Sequence, residues 1–275
     1  MTNITRRAVG ILAGALIAGT LLGGCAATTA EPGQATSSAL AMGDSFKPVA
    51  GVAYLDPIRA DAPGLDRAVG RLIDDMARDG DLLCAALLRR TDAPESGERL
   101  LLEAWKSGAA RTRVMNRNRA LVSELDAQLL MPFASRLADP YAAFGQSALR
   151  VQGRVSLSHL DIKPKQITRG FALARDLQEA KARQGGKARP GADAGKGANA
   201  GLAASGIWKE RTLSNHMSLV DIHGVSERPV PGAEVVGLRR RLAPLSGSPF
   251  NQRTYRVSRL RGCGGTNDWI AGGAL

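Results

Sequence analysis

The sequence predicts an α+β fold, in which a small mixed helix/strand domain follows an N-terminal leader and precedes a basic C-terminal region of low order. Three observations favour this class. Apolar residues follow helix and strand periodicities between residues 45 and 162. That patterning weakens after residue 162. The charge changes at the same place, from 18 Lys+Arg against 17 Asp+Glu in residues 1–162 to 19 against 8 in residues 163–275.

The first predicted elements are a strand and a helix. Residues 49–55 form a short apolar run that ends at Asp56-Pro57 and fits a buried strand. For the helix that follows, Asp61 can act as the cap and Pro63 fits the first turn. Its apolar face contains Leu65, Val69, Leu72, Ile73 and Met76. Residues 82–88 are a second apolar run, and periodicity leaves its type open.

Two more helices and a strand complete the predicted domain. Asp92-x-x-Glu95 resembles a capping box, which predicts a helix through Leu100, Leu101 and Trp105 that ends at Gly108. Residues 118–130 carry apolar residues at helical spacing. Residues 150–160 alternate between apolar and polar, which is typical of a half-buried antiparallel strand.

The region after residue 162 has weaker signals. We predict a helix over residues 168–182, a linker or disordered segment over residues 185–206 and a strand over residues 217–224. An arginine-rich stretch follows at residues 237–245. Arg, Gly, Ala, Pro and Ser are also what a GC-rich gene yields out of frame, so a degenerate or frame-shifted region is an alternative for residues 163–275.

The N-terminal leader has the parts of an export signal. Arg6 and Arg7 precede an uncharged run over residues 8–24, which closes as Leu22-Gly23-Gly24-Cys25. The run is short for a transmembrane helix, which needs about 20 apolar residues. A transmembrane helix and a plain signal peptide cut after Ala26 or Ala27 are the alternatives.

The cysteine after two glycines resembles the lipobox of bacterial lipoproteins. The resemblance implies cleavage after residue 24 and attachment of acyl chains, such as palmitate, to Cys25. Residues 25–44 would then be a lipidated, flexible tether. Alanine at position 26 points to the outer membrane in that family. The domain over residues 45–162 and the basic region over residues 163–275 would then face the periplasm.

Export limits the partners of the basic region. A nucleic-acid partner is excluded, because an exported chain meets phospholipid head groups and cell-wall polymers instead. The order of residues 219–225, Arg239–Arg241 and the glycines at 262, 264 and 265 resembles the peptidoglycan-binding domain of the outer-membrane-protein-A type. That resemblance implies contact with peptidoglycan or anionic lipid. We therefore predict a non-enzymatic binding or structural role in the cell envelope, with a solvated tail as the alternative for the basic region.

A hydrolase is the competing class. Gly43-Asp44-Ser45 and Gly265-Thr266-Asn267-Asp268 resemble two blocks of the SGNH or GDSL-type lipases and esterases, which implies Ser45 as the nucleophile. No histidine follows the second block to act as the base. We therefore predict no catalytic residue for the chain and keep Ser45 as the alternative.

The remaining histidines and cysteines give weak site signals. His159 continues an apolar strand face, which favours a half-buried, satisfied histidine. His216 and His223 would share a metal only on a helix, so no metal site and no cofactor are predicted. Cys84 and Cys263 can pair in an oxidising compartment, but the apolar run around Cys84 favours a buried free thiol.

Overall fold

Eight antiparallel strands close into a β-barrel in the part of the chain that the structure describes. The structure is a computed structural model, and it describes residues 47–145, 149–186, 202–223 and 231–263. Five helices within those ranges pack on the outside of the barrel. No helix there is long and apolar enough to cross a membrane.

The first half of the chain consists of a strand, a helix, two strands, two consecutive helices and a final strand. Its strands are β1 (Val49–Leu55), β2 (Leu82–Arg90), β3 (Arg99–Trp105) and β4 (Arg136–Gly145), and its helices are α1 (Pro63–Met76), α2 (Gly108–Arg117) and α3 (Arg119–Asp126). The predicted first strand and first helix are confirmed. Pro63 lies in the first turn as expected, but no side chain caps this helix.

The second half repeats the same order of elements. Its strands are β5 (Arg154–Asp161), β6 (Leu202–Glu210), β7 (His216–His223) and β8 (Asn251–Gly262), and its helices are α4 (Ile167–Gly186) and α5 (Ala233–Leu242). The strand order around the barrel is β1-β3-β2-β8-β5-β7-β6-β4. If each strand of the first half is exchanged for its counterpart in the second (β1 for β5, β2 for β6, β3 for β7 and β4 for β8), the order around the closed barrel stays the same. The barrel therefore has an approximate internal two-fold axis.

Apolar side chains form three layers. One fills the barrel and includes Leu88, Leu102, Val155, Trp208 and Val257. The second lies between the first half of the sheet and helices α1 to α3. The third lies between the second half and helices α4 and α5. Burial of both sheet faces is the main stabilising term, because apolar area removed from water contributes about 25 cal/mol per Å².

The helix predicted through Leu100, Leu101 and Trp105 is wrong. Residues Pro94–Ser96 form a single 3₁₀ turn, and the apolar run belongs to strand β3. Strand β3 lies between β1 and β2 and is buried at every residue. A strand covered on both faces shows a continuous apolar run rather than alternation, and such a run cannot be told from a helix by periodicity.

The predicted fold class is also wrong. A small α+β domain with a basic low-order C-terminal region does not describe a closed barrel, because the described residues after 162 supply α4, β6, β7, α5 and β8. Strand β5, which we predicted as the last strand of the domain, pairs with β7 and β8. The predicted helix over residues 168–182 and strand over residues 217–224 are confirmed as α4 and β7.

The expectation of a free thiol at Cys84 is wrong as well, although the residue is fully buried as predicted. Cys84 and Cys263 form a disulfide with a Cα–Cα distance of 4.4 Å across 179 residues of sequence. The bond ties strand β2 to the residue that follows β8. Local sequence could not predict it, because the two cysteines meet only when the halves of the barrel close.

Several predicted features lie outside the described residues. They are the leader with Cys25, the tether over residues 25–44, the block that ends at Ser45, residues 187–201 of the predicted linker and the block at residues 265–268. Lipidation of Cys25 therefore stays a prediction. The end of the linker was predicted wrongly, because β6 begins at Leu202.

Candidate functional site

The two ends of the barrel differ in chemistry. At one end the disulfide and Leu149, which is 3% exposed, belong to the apolar interior. Ionisable and polar side chains gather at the other end. We call this group the polar end, and it consists of Tyr54, Arg90, Glu98, Arg136, His159, Glu210, His216, Ser218, Arg253 and Tyr255.

Strand alternation places the two central side chains of the polar end. Ala50 and Val52 of β1 point into the barrel, and Tyr54 follows them on the same face. Val155 and Leu157 of β5 do the same, and His159 follows them. Tyr54 and His159 therefore meet inside the barrel, although 105 residues separate them in the sequence.

The strand register makes these two positions equivalent across the two-fold axis. Val52 pairs with Arg136, and Leu157 pairs with Arg253. The same alignment continues around the barrel through the β2–β8 and β4–β6 pairings. Tyr54 then corresponds to His159, and Arg136 corresponds to Arg253. An arginine thus stands on each side of the central pair.

Tyr54 and His159 are joined by a hydrogen bond. The Tyr54 hydroxyl and Nε2 of His159 share this bond, and the two rings lie edge to face with centroids 5.4 Å apart. Nδ1 of His159 is 2.9 Å from the Ser218 hydroxyl. A hydroxyl can donate or accept, so in the tautomer protonated at Nδ1 the imidazole accepts from Tyr54 and donates to Ser218.

Glu98 organises one side of the polar end. This carboxylate is 5% exposed and accepts from Arg253 at 2.8 Å, from Arg90 at 3.1 Å and from the Tyr255 hydroxyl at 2.5 Å. The Arg253 guanidinium also lies 5.0 Å from the centre of the Tyr54 ring, a cation–π distance. Arg253 thus links the buried carboxylate to the central pair.

The opposite side is looser and more open. Arg136 lies 3.8 Å from the Glu210 carboxylate, and its side chain is 57% exposed. Glu210 also lies 3.7 Å from His216, whose other ring nitrogen is 3.0 Å from Asp161. Solvent reaches the polar end on this side, so a small molecule could approach the central pair past Arg136.

Burial sets the protonation of the central groups. Burial first, and then the charges of Arg136, Arg253 and His216, lower the pKa of His159 to about 4. Burial also raises the pKa of Tyr54 and Tyr255 well above the usual range for tyrosine. At neutral pH the site therefore holds a neutral imidazole beside protonated phenols, which is a proton relay next to fixed cations.

Each helix–sheet layer also holds a buried ion pair, and the register makes the two pairs equivalent. Glu103 faces Gly51 across β1 and β3, and Arg111 lies 2.7 Å away. Asp221 faces Ser156 across β5 and β7, and Lys181 lies 2.7 Å away. Both acids accept from a cation on a covering helix, Arg111 of α2 and Lys181 of α4, so they tie each half of the sheet to its helices.

The structure separates the histidines that were considered for a metal. His159 lies on the predicted strand face. His216 and His223 lie at the two ends of strand β7, and His223 Nε2 is 2.9 Å from the Ser156 hydroxyl. Among the described residues no cluster of three or more His, Cys, Asp or Glu side chains is arranged for a metal ion.

Sequence reasoning missed most of the polar end. Tyr54 is hidden in an apolar run, and Arg136 and Arg253 belong to strands that were not predicted. Glu98 falls within the segment that the sequence wrongly predicts as a helix. Two signals were available. Tyr54 is the single polar group of the first strand, and Arg253 alternates with Tyr255 and Val257.

Comparisons with known proteins report on the fold. No family model and no curated protein sequence matches the chain. A provisionally assigned monooxygenase from Fusobacterium nucleatum superimposes with a TM-score of 0.62 at 9% identity, over 80% of this chain and 96% of that one. A second, from Lactobacillus acidophilus, gives 0.58 at 9% identity, over 79% and 97%. An anthrone oxidase-like protein gives 0.51 at 14% identity, over 80% and 94%. The chain shares their fold.

These comparisons correct the predicted function. A non-enzymatic binding or structural role at peptidoglycan or anionic lipid is contradicted, because the structures that share the barrel are named for oxidation reactions. The alternative hydrolase with Ser45 as nucleophile is contradicted by the same finding. Short motifs misled here because seven matching residues do not define the strand that must position a nucleophile.

Proposed function

We propose that the chain is an enzyme of the oxygenase or oxidase class, which oxidises a weakly acidic aromatic compound at the polar end of the barrel. The observation that carries the proposal is the relay from Tyr54 to the neutral His159, with Arg253 and Arg136 beside it. The names of the structural neighbours support the reaction class.

The first step is removal of a proton from the substrate. The acidic proton passes to the Tyr54 oxygen while the Tyr54 proton passes to Nε2 of His159. The substrate is left as an anion beside the guanidinium groups. Its negative charge offsets the cations that lower the pKa of His159, so the imidazole becomes a stronger base once the substrate is in place.

The second step is oxidation of the anion by dioxygen. For a substrate with an acidic methylene, one oxygen atom enters as a carbonyl and the other leaves as water with the two hydrogens of the methylene. The compound named for one neighbour, an anthrone, has such a methylene between aromatic rings. The role of the protein is to hold the anion and to return the proton from His159.

Product labelling tests the proposed function. Purified protein is incubated with anthrone under ¹⁸O₂, and the label in the ketone product is measured by mass spectrometry. We expect label in the product, and a rate about 100-fold lower for Tyr54→Phe, as is usual when an acid–base group is removed. Tyr141→Phe is the matched control, because Tyr141 is 49% exposed on the outside of the barrel. An unlabelled product, or equal rates for the two variants, would contradict the proposal.

The same enzyme is proposed to work outside the cytoplasm, attached to a membrane through Cys25. The leader sequence supports export, and the Cys84–Cys263 disulfide fits an oxidising compartment. Each buried methylene of an acyl chain adds about 0.8 kcal/mol to the anchor. The intact mass of the membrane-extracted chain should equal residues 25–275 plus acyl groups, and a Cys25→Ser variant should retain the leader.

A further inference from the structure

We infer that the substrate of the polar end carries a permanent carboxylate, which binds between Arg136 and Arg253 in front of the Tyr54–His159 pair. The inference rests on the proposed function for the place of the reaction, but it concerns binding and can be tested without turnover. The ligand class is a small aromatic carboxylate.

The position of the two arginines is the first argument. Arg136 pairs with Val52, and Arg253 pairs with Leu157, so each lies diagonal to one member of the central pair. The internal two-fold axis relates them, and their strands β4 and β8 stand on opposite walls of the barrel, with the central pair between them. A guanidinium presents two parallel N–H groups, which match the two oxygens of a carboxylate.

The balance of charge is the second argument. The charged groups that act on His159 are Arg136, Arg253 and His216, all of them cations or potential cations. On Tyr54 the effect of Arg253 exceeds that of Glu98, and the effect of Arg136 exceeds that of Glu210. At Tyr54 and His159 the nearby cations therefore outweigh the nearby carboxylates, which favours an anionic ligand there.

The loose pairing of Arg136 is the third argument. Its distance to Glu210 is 3.8 Å, which is too long for a hydrogen bond, and its side chain is mostly exposed. Arg253, in contrast, is already bonded to Glu98 at 2.8 Å and is held against the Tyr54 ring. A carboxylate would thus meet a firmly bonded guanidinium on one side and a loosely paired one on the other.

The aromatic part of the ligand follows from the surrounding rings. Tyr54 and His159 contact each other edge to face, and the Trp208 and Tyr255 side chains are fully buried inside the same barrel. Trp208 pairs with Ser218, the partner of His159, so its fluorescence should respond to an occupied site.

Calorimetry with benzoate and benzamide tests the inference, because the two probes have similar shapes and differ in charge. At pH 7 we expect benzoate to bind at least tenfold more tightly than benzamide. Arg253→Gln and Arg136→Gln should each weaken benzoate about tenfold and leave benzamide unchanged. Arg256→Gln is the control, because Arg256 is exposed on the same strand as Arg253. Equal affinity for both probes, no binding of benzoate, or equal effects of all three variants would overturn the inference.

Proton uptake gives a second readout. His159 faces Tyr54 of β1, Arg136 of β4, His216 and Ser218 of β7 and Arg253 of β8, with Glu98, Arg90, Tyr255 and Glu210 around them. A bound anion raises the proton affinity of His159, so benzoate should bind more tightly at pH 5.5 than at pH 7.5. Binding heats in two buffers of different ionisation enthalpy should show this uptake, and His159→Gln should abolish it.

Folding controls and turnover separate the possible failures. Arg253→Lys keeps the charge and should keep part of the preference for benzoate, and circular dichroism reports whether each variant is folded. Arginine-dependent benzoate binding without oxidation of any substrate would leave the carboxylate site standing and contradict the proposed function. Oxidation of anthrone without a preference for benzoate over benzamide would support the proposed function and contradict the carboxylate site.

Discussion

The two halves of the barrel have one architecture and different chemistry. At the centre, Tyr54 of the first half is equivalent to His159 of the second, and beside them Glu98 is equivalent to His216. The third pair of equivalent positions, 136 and 253, holds an arginine in both halves. A symmetric site would have two identical central groups, and these would have equal proton affinities. The difference places a protonated phenol beside a neutral imidazole that can accept a proton, and the repeated arginines add positive charge on both sides.

The largest expected effect concerns the bond that joins the halves. Cys84→Ser removes the disulfide between β2 and the end of β8. In the chain-entropy model a closed loop of this size contributes about 5 kcal/mol to the free energy of unfolding. Urea denaturation should show a loss of that order, and the double variant with Cys263→Ser should lose no more than either single one. Additive losses would contradict a shared bond.

A smaller effect should distinguish the two carboxylates of the polar end. Glu98→Gln leaves Arg253 and Arg90 without their buried partner and should cost about 2–3 kcal/mol of unfolding free energy. Glu210→Gln should cost less than about 1 kcal/mol, because its partner Arg136 is mostly exposed. Thermal or urea denaturation compares the two variants. Equal losses of unfolding free energy in the two variants would contradict the distinction between a tightly bonded Glu98 side and a loosely paired Glu210 side.

The pH dependence of the unfolding free energy should report the protonation of His159, the member of the central pair with no counterpart of its type in the first half. His159 has a pKa of about 4 in the folded chain, below its ordinary value near 6.5, so the unfolded chain binds its proton first as the pH falls. Stability contributed by the neutral imidazole is present above about pH 6.5 and is lost as the pH falls towards 4. The loss should be at most about 3 kcal/mol.

The control for the pH effect is His159→Gln, which cannot be protonated in this range. Its unfolding free energy should fall less than that of the wild type between pH 7 and pH 4.5. Parallel curves for the two proteins would show that the imidazole is not held neutral by the fold.

The smallest effect is expected on the helical surface of the second half. Arg183 bridges Glu179 of its own helix and Glu234 of α5, and all three side chains are about half exposed. Arg183→Gln should change the unfolding free energy by less than about 0.5 kcal/mol. A larger change in urea denaturation would mean that the two helices of this half depend on the bridge.

The same two halves explain what could be predicted from the sequence. In the first half, β1 and α1 follow clear periods, and they were predicted with nearly correct bounds. In the second half, small residues (Ala, Ala, Ser and Gly) occupy positions 203–206 of β6, and β8 carries several arginines on its outward face, so neither resembles a strand. Small and charged residues suffice there because the neighbouring strands and helices supply the apolar contacts.

The candidate site was harder to predict than the fold for a different reason. His159 was assigned correctly to a half-buried strand face. Its partners Tyr54, Ser218 and Arg253 come from three other strands, and the residue pairs are 105 and 59 positions apart for the two hydrogen bonds. Only closure of the barrel brings them together, and no local pattern in the chain encodes that closure.

The central claim is that chemistry occurs at the Tyr54–His159 pair. Oxygen uptake with anthrone, measured for the wild type, His159→Gln and His223→Gln, tests it most directly. His223 is the matched control, because it lies at the other end of strand β7 and contacts Ser156. We predict that His159→Gln lowers the rate about 100-fold while His223→Gln keeps it within about twofold. Equal rates for the two variants would contradict the account.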